Sequence, residues 1–272
     1  MAGQVTIITG ASSGIGAAAA EIFAAKGYRV VLAARRRERL EQLAAKIHSA
    51  GGEAYPVPTD VSQFCQLQAL VDGVLAHYGQ IDVLINNAGI GRLRWLDELN
   101  PEDDIVDQIT VNLTAGIQLT RLVLPHFRAR GKGHIVNVSS AGAWLAIPTY
   151  SVYTATKFGM RGFNESLRRE LRGTNIFITG IYPGAVDTEF DQHAGVEWEI
   201  NQETPSWLLL SKQDTAARIF QAVKKQKKRV VTPWVMHFAI WAEALAPGLV
   251  DWVLGHYFQR GEDYSLIWGR KE

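Results

Sequence analysis

The sequence predicts an α/β protein: a single doubly wound parallel sheet of about seven strands flanked by helices, with a helical extension at its carboxyl end. Two observations carry this. Short runs of apolar and β-branched residues, continuous rather than alternating, recur with helical stretches between them, the pattern of strands covered on both faces. These runs flow repeatedly into glycine, serine or asparagine, at the strand ends where an open parallel sheet gathers its ligands. Strand–helix alternation closed by a seventh strand describes one domain over residues 1–233, and residues 234–272 form the extension.

Residues 4–9 (QVTIIT) are the first strand, and they run directly into Gly10-Ala-Ser-Ser-Gly14-Ile-Gly16 and an alanine-rich helix to Lys26. Such a turn suits a phosphate-bearing ligand. Glycines let the backbone approach a pyrophosphate, and the free N–H groups of the first helical turn meet its charge. Gly10, Ser12, Ser13, Gly14, Ile15 and Gly16 are the candidate cradle, spaced as TGxxxGxG with Thr9 ahead, not as the commoner GxGxxG. Gly27 ends the helix and Tyr28 to Ala34 is the second strand. In the common fingerprint an acidic residue here binds the ribose hydroxyls. This chain has Ala34 there, then Arg35, Arg36 and Arg37. Guanidiniums in place of a carboxylate accept a 2′-phosphate, so the expected cofactor is NADP(H), with Arg35 as the expected contact.

A helix from Arg36 to Ser49 stops at Gly51-Gly52, and Glu53 to Val57 is the third strand. It ends at Thr59-Asp60-Val61. Asp60 and Val61 are candidate adenine-side contacts, although Asp60 or Ser62 equally suits a cap for the helix that runs to Tyr78. Asp82 to Ile85 is the fourth strand, followed by Asn86, Asn87, Ala88 and Gly89, the last three candidate cofactor contacts. Residues 90–101 read as a loop carrying Trp95 near the mouth of the site. Asp103 to Arg130 reads as one helical region in which Asn112 either kinks the helix or reaches across it. Pro125 predicts a second irregularity, or a boundary, near residue 121 or 124.

Ile135 to Val138 is a fifth strand ending in Ser139 and Ser140, and Tyr153-Thr-Ala-Thr-Lys157 follows a proline-containing loop. On a helix the i,i+4 spacing stacks Tyr153 and Lys157 on one face. An ammonium beside a phenol favours the phenolate, the shift that a proton donor or acceptor working near neutrality needs. A serine from the preceding strand can hydrogen-bond the same substrate oxygen. Alone, the pair equally describes a surface tyrosine and a solvated lysine. The helix continues to about Arg172, and Asn175 to Gly180 is the sixth strand. Pro183-Gly184 makes a firm turn with Val186 and Thr188 beyond it as candidate nicotinamide-side contacts. Residues 189–210, with Trp198 and Trp207, read as a lid. Ser211 to Asp214 opens a capped helix to about Lys225, and Arg229 to Thr232 is the seventh strand.

Charge is balanced, 28 basic against 27 acidic residues, so no nucleic acid or strongly charged partner is expected. The single cysteine, Cys65, rules out an internal disulfide and a cysteine-based zinc cluster, and it is expected to be part-buried. The histidines show no ligand-like cluster, so no metal is expected. With the first strand beginning near Gln4, the reading leaves no room for a signal peptide and favours the cytoplasm.

Taken together, these motifs resemble the short-chain dehydrogenase/reductase family over Gln4 to about Thr188, a Rossmann-type fold. The glycine turn, Asp60, the Asn86-Asn87-Ala88-Gly89 segment and Pro183, Gly184 and Thr188 match its cofactor motifs in order. The resemblance implies a catalytic set of Asn112, Ser140, Tyr153 and Lys157. Ser140 is preferred to Ser139 because it lies thirteen residues before Tyr153, the family's common spacing. It implies hydride exchange between a nicotinamide and a carbonyl or secondary alcohol, in a homodimer or homotetramer. In that scheme Tyr153 moves the proton, Lys157 assists it and holds the nicotinamide ribose, and Asn112 connects the lysine to a proton relay. Reduction of a lipophilic ketone or aldehyde is the leading expectation, 3-oxoacyl-thioester reduction the alternative and a non-catalytic dinucleotide-binding scaffold a third. Trp144, Leu145, Ile147 and Tyr150 are expected to line an apolar pocket.

The extension departs from common members of that family. Lys224, Lys225, Lys227, Lys228 and Arg229 precede an aromatic, apolar stretch from Trp234 to Phe258 that Pro247-Gly248 divides into two short helices. It is similar to the tail of membrane-associated hydroxysteroid and retinol-type relatives. A basic patch beside aromatic helices suits peripheral membrane contact. Packing over the pocket or in a dimer is the favoured expectation.

Overall fold

The computed structural model describes residues 3–190, Ala194 and residues 208–258. Seven strands make one fully parallel sheet: β1 Val5–Thr9, β2 Arg29–Ala34, β3 Glu53–Pro58, β4 Val83–Asn86, β5 Gly133–Val138, β6 Ile176–Pro183 and β7 Arg229–Thr232. Their order is β3-β2-β1-β4-β5-β6-β7. The order reverses between β1 and β4, and this switch point opens a crevice above their carboxyl ends. β1 and β4 are buried at every position, as their uninterrupted apolar sequence requires.

Helices α1 (Gly14–Ala25) and α2 (Arg37–Ser49) cover one face, with α6 (Lys212–Lys224). The small residues Ala18, Ala19 and Ala20 let α1 lie close to the strands, and Phe23 packs edge-on to Tyr28 and Phe220. Helices α3 (Phe64–Tyr78), α4 (Ala115–Arg130) and α5 (Ser151–Glu170) cover the other face with a second apolar cluster. Gly27, Gly79 and Gly131 close α1, α3 and α4 with positive φ. α6 is capped as expected, Ser211 accepting from the Asp214 amide.

Several expectations change. The region before α4 is not one helix. It starts at Pro101, capped by Asn100 accepting from the Glu102 and Asp103 amides. It then contains two wide π-helical stretches, Pro101–Val106 and Thr110–Thr114, separated by a short α turn. Asn112 lies in the second, so the widening supports the reading that it reaches across. Pro125, by contrast, does not interrupt α4. Its missing N–H would have met the carbonyl of Arg121, and both residues are on the solvent face. Cys65 is exposed, not part-buried, because it sits in the first turn of α3 facing outward.

The extension forms α7 (Met236–Leu245) and α8 (Pro247–Tyr257), broken at Pro247 and bent by 114°. Neither is long and apolar enough to cross a membrane alone. They do not bury their apolar surface within the single chain: of eleven exposed large apolar side chains among the described residues, seven lie between Trp234 and Val253. The basic run is not beside them either. Lys224 to Lys228 precede β7 and the helices follow it, so the strand, roughly 13 Å long at its four residues, separates the two groups along its axis.

Candidate active site

The glycine turn works by contact distance. Gly10 adopts φ +65°, and a Cβ there would stand 2.9 Å from the Ala88 Cα. A Cβ on Gly16 would lie 2.3 Å from the Gly10 carbonyl oxygen. The turn therefore closes onto α1 and onto the strand beside it only without side chains. Thr9 Oγ1 accepts from the amides of Asn87 and Ala88 at 2.9 and 3.0 Å, and Asn87 Nδ2 donates to the Thr9 carbonyl at 3.0 Å. Asn87 and Ala88 thus tie the ends of β1 and β4 together while lining the crevice. Gly14 faces Thr188, whose Cγ2 would be 3.2 Å from a Cβ on the glycine. The two flanks of the crevice meet there.

The crevice is one continuous cleft of about 980 Å³. Its walls include Gly10, Ser12, Ser13, Gly14, Ile15, Arg35, Asp60, Val61, Asn87 to Gly89, Gly184, Val186 and Thr188, together with Ser140, Tyr153 and Lys157. Gly16 and Pro183, also expected there, are not among the residues that line it. Asp60 neither caps α3, whose N-cap is Gln63, nor stands apart. Its Oδ1 accepts from the Ser62 amide and hydroxyl at 3.0 and 2.8 Å, holding the carboxylate at the cleft wall.

At the inner end, Ser151–Glu170 is helical and Tyr153 and Lys157 share a face, with Lys157 Nζ 5.2 Å from the centre of the tyrosine ring. Both are buried. Burial pulls the lysine pKa down from 10.5 to about 8. While protonated, the ammonium favours negative charge on the phenol oxygen. The two serines separate cleanly. Ser139 Oγ donates to the Lys157 carbonyl at 3.3 Å and is committed to structure. Ser140 Oγ accepts from the Gly142 amide at 3.1 Å, and a Cβ on Gly142 would stand 3.5 Å from that oxygen and 3.6 Å from Tyr153 Cε1. Ser140 is the serine beside the phenol.

Asn112 clasps the backbone of Ile90: its Oδ1 accepts from the amide at 2.7 Å and its Nδ2 donates to the carbonyl at 2.8 Å. A Cβ on Gly89 would sit 3.4 Å from Asn112 Oδ1 and 3.6 Å from Lys157 Nζ. The asparagine therefore fixes the strand β4 loop against the lysine, and its π turn supplies the reach.

Leu145, Ile147 and Tyr150 line the cleft as expected, joined by Leu93, Phe190, Leu208 and Met236. Trp144 does not. Its ring stacks on the Arg161 guanidinium at 4.0 Å and packs against Tyr182, directing it away from the cleft. Most of residues 189–210, including Trp198 and Trp207, lies outside the described residues. At the outer end Arg35 is exposed on the cleft wall, whereas Arg36 is half-buried and donates to Ser12 and Ser13 Oγ at 3.0 and 2.7 Å. Sequence reasoning chose the first arginine. The second, one of the three guanidiniums read there, points to the glycine turn, and the helix starts one residue later than expected, at Arg37.

Residues 4–197 match the family model described as short chain dehydrogenase. This chain belongs to the short-chain dehydrogenase/reductase family. It is an oxidoreductase by that membership. It is 36% identical over 264 residues to the dehydrogenase/reductase SDR family protein 7-like of Anopheles gambiae, covering 93% of this chain and 82% of the relative. It is 31% identical to 11-beta-hydroxysteroid dehydrogenase A of Sesamum indicum, covering 100% and 80%. A Burkholderia phymatum short-chain dehydrogenase/reductase solved in complex with NAD superposes with a TM-score of 0.82 at 28% identity, covering 92% and 95%. A Sphingobium yanoikuyae short-chain dehydrogenase in complex with NADPH gives 0.78 at 28%, covering 96% and 98%.

Proposed function

We propose that the chain is an NADP(H)-dependent reductase of lipophilic ketones or aldehydes, and equally a dehydrogenase of the corresponding alcohols. The observation that carries the reading is Tyr153, Lys157 and Ser140 gathered where the glycine-lined cleft becomes apolar. The cradle fits a dinucleotide: a wall without Cβ atoms for the pyrophosphate, and arginines with no carboxylate at the end of β2 for a 2′-phosphate. A bound nicotinamide supplies the hydride. Tyr153 then delivers its proton to the developing alkoxide, Ser140 hydrogen-bonds the same oxygen, and Lys157 stabilises the phenolate left behind. Leu93, Leu145, Ile147 and Tyr150 give the carbonyl an apolar seat. The hydroxysteroid relative is consistent with substrates of that kind.

The extension belongs to the same reading. Among the described residues no side chain of α7 or α8 is buried, and Trp234, Trp241 and Trp252 are each more than half exposed. Met236, at the start of α7, also lines the cleft. We take these helices to lie at a lipid surface, the tryptophans at its interface, with the catalytic domain assembling as a homodimer or homotetramer elsewhere.

The deciding experiment is NADPH and NADH oxidation across ketones, aldehydes and one 3-oxoacyl thioester. Turnover of lipophilic carbonyls with NADPH, and an Arg35→Ala variant that weakens NADPH at least fivefold more than NADH, are the expected results. Turnover confined to the thioester moves the chain to the alternative, and cofactor binding without any turnover overturns the catalytic reading.

A further inference from the structure

Glu189 stands directly after Thr188, at the edge of the cleft beyond β6. Its carboxylate accepts from Arg39 Nη1 at 2.7 and 2.8 Å and from Arg36 Nη1 at 3.1 Å. Arg36 is at the same time bonded through Nε and Nη2 to Ser12 and Ser13 in the glycine turn. These contacts run between two distant parts of the sheet. β2, which delivers Arg36, and β6, which delivers Glu189, are separated by β1, β4 and β5, roughly 19 Å at ordinary strand spacing. The contact therefore spans the crevice from one flank to the other. The neighbouring residue, Phe190, lies with its ring 5.7 Å from that of Tyr153, and Ala194 packs against Tyr153 and Leu93. One short stretch thus touches the arginines at the adenosine end and the phenol at the reacting end.

We propose that Glu189 is a cofactor-specificity residue and a latch: its carboxylate occupies Arg36 and Arg39 in competition with the 2′-phosphate of NADP(H), and its release frees Phe190 from Tyr153. The inference rests on the cofactor reading above. The charges favour an exchange. Two guanidiniums hold one carboxylate, and a phosphate dianion arriving at the same donors is repelled by that carboxylate but is the better acceptor for planar, paired N–H groups. The Arg39 and Arg36 hydrogen bonds hold the Glu189 carboxyl below its ordinary range, so the competitor is charged at neutral pH. NADH carries no group that competes for these arginines. Binding of the phosphorylated cofactor thereby uncovers the tyrosine, and binding of NADH leaves the latch in place.

The test compares wild type with Glu189→Gln, which keeps the size of the side chain and removes its charge. Dissociation constants for NADPH and NADH are measured by fluorescence titration at low and high salt, and the carbonyl KM is measured with each cofactor. The expected result is that E189Q binds NADPH about tenfold more tightly at low salt, with the gain shrinking as salt rises. NADH affinity stays within twofold, and the carbonyl KM with NADH falls towards its value with NADPH. Glu189 is partly exposed, so the fold should survive, and Glu189→Ala serves as a second variant with the same expectation. A wild type that prefers NADPH while both variants bind it unchanged, or shift NADH equally, overturns the latch and leaves the cofactor reading standing. A wild type that binds neither dinucleotide, or prefers NADH in every variant, overturns both.

Discussion

In the proposed mechanism the chemistry turns on Tyr153, whose ring centre lies 5.2 Å from Lys157 Nζ and which shares the cleft wall with Ser140. Tyr153→Phe keeps the ring, its packing and Lys157, and removes only the transferable proton. Turnover should fall by at least a thousandfold while NADPH affinity changes less than threefold, read from steady-state rates and fluorescence titration on the same preparation. In that mechanism Lys157 would set the alkaline limit. Its charge is present below its pKa of about 8 and fades above it, so kcat/KM for carbonyl reduction should decline as pH rises through that value. A profile flat to pH 10 would remove the lysine charge from the mechanism. At this scale the sequence was readable where a side chain meets a near neighbour, as in Tyr153 and Lys157 one helical turn apart. It was silent on Glu189, whose arginine partner is 150 residues away, and on Trp144, whose ring direction is set by Arg161.

At the scale of elements, apolar runs marked all seven strands because a sheet buried on both faces has room for little else. Glycines marked the helix ends for a similar reason of backbone geometry. The buried polar links were not legible. Asn86 donates to Asn137 on the adjacent strand at 2.7 Å, and Asn137 donates to Asn164 of α5; such pairs depend on register, which no single segment encodes. His134 on β5 is another. Thr179 spends its one hydroxyl proton on the Lys227 carbonyl, so His134 Nε2 must donate to Thr179 Oγ1, at 2.8 Å, and the ring is neutral. Burial lowers its pKa from 6.5 to about 4. Between those values the unfolded chain binds the proton and the folded one does not, so stability is lost as pH falls from 6.5 towards 4. His134→Gln should flatten that acid loss by on the order of 2 kcal/mol, seen as a smaller difference between urea midpoints at pH 7 and pH 4.5.

For the whole molecule, the extension was legible as two helices split at Pro247 but not in its placement, because which end of β7 a segment leaves from is a property of the sheet. That topology moved the lysines away from the aromatic helices, and α7 and α8 carry the acidic residues Glu243 and Asp251, so the proposed seat on lipid would rest on apolar contact alone. Binding to liposomes should therefore be nearly insensitive to salt and to anionic lipid content, and Trp241→Glu with Trp252→Glu should abolish it while leaving turnover of a water-soluble carbonyl unchanged. Sedimentation with neutral and anionic vesicles reads the first, and steady-state rates read the second. Salt-sensitive binding, or a doubly substituted chain that merely changes from dimer to monomer, would assign those helices to another partner.

Met236 belongs both to the cleft wall and to the first turn of α7. With α7 seated on lipid as proposed, the enzyme would meet its substrate in two dimensions. Its rate should follow the mole fraction of carbonyl dissolved in the lipid or detergent phase, and diluting that phase with inert amphiphile should slow turnover at constant total substrate.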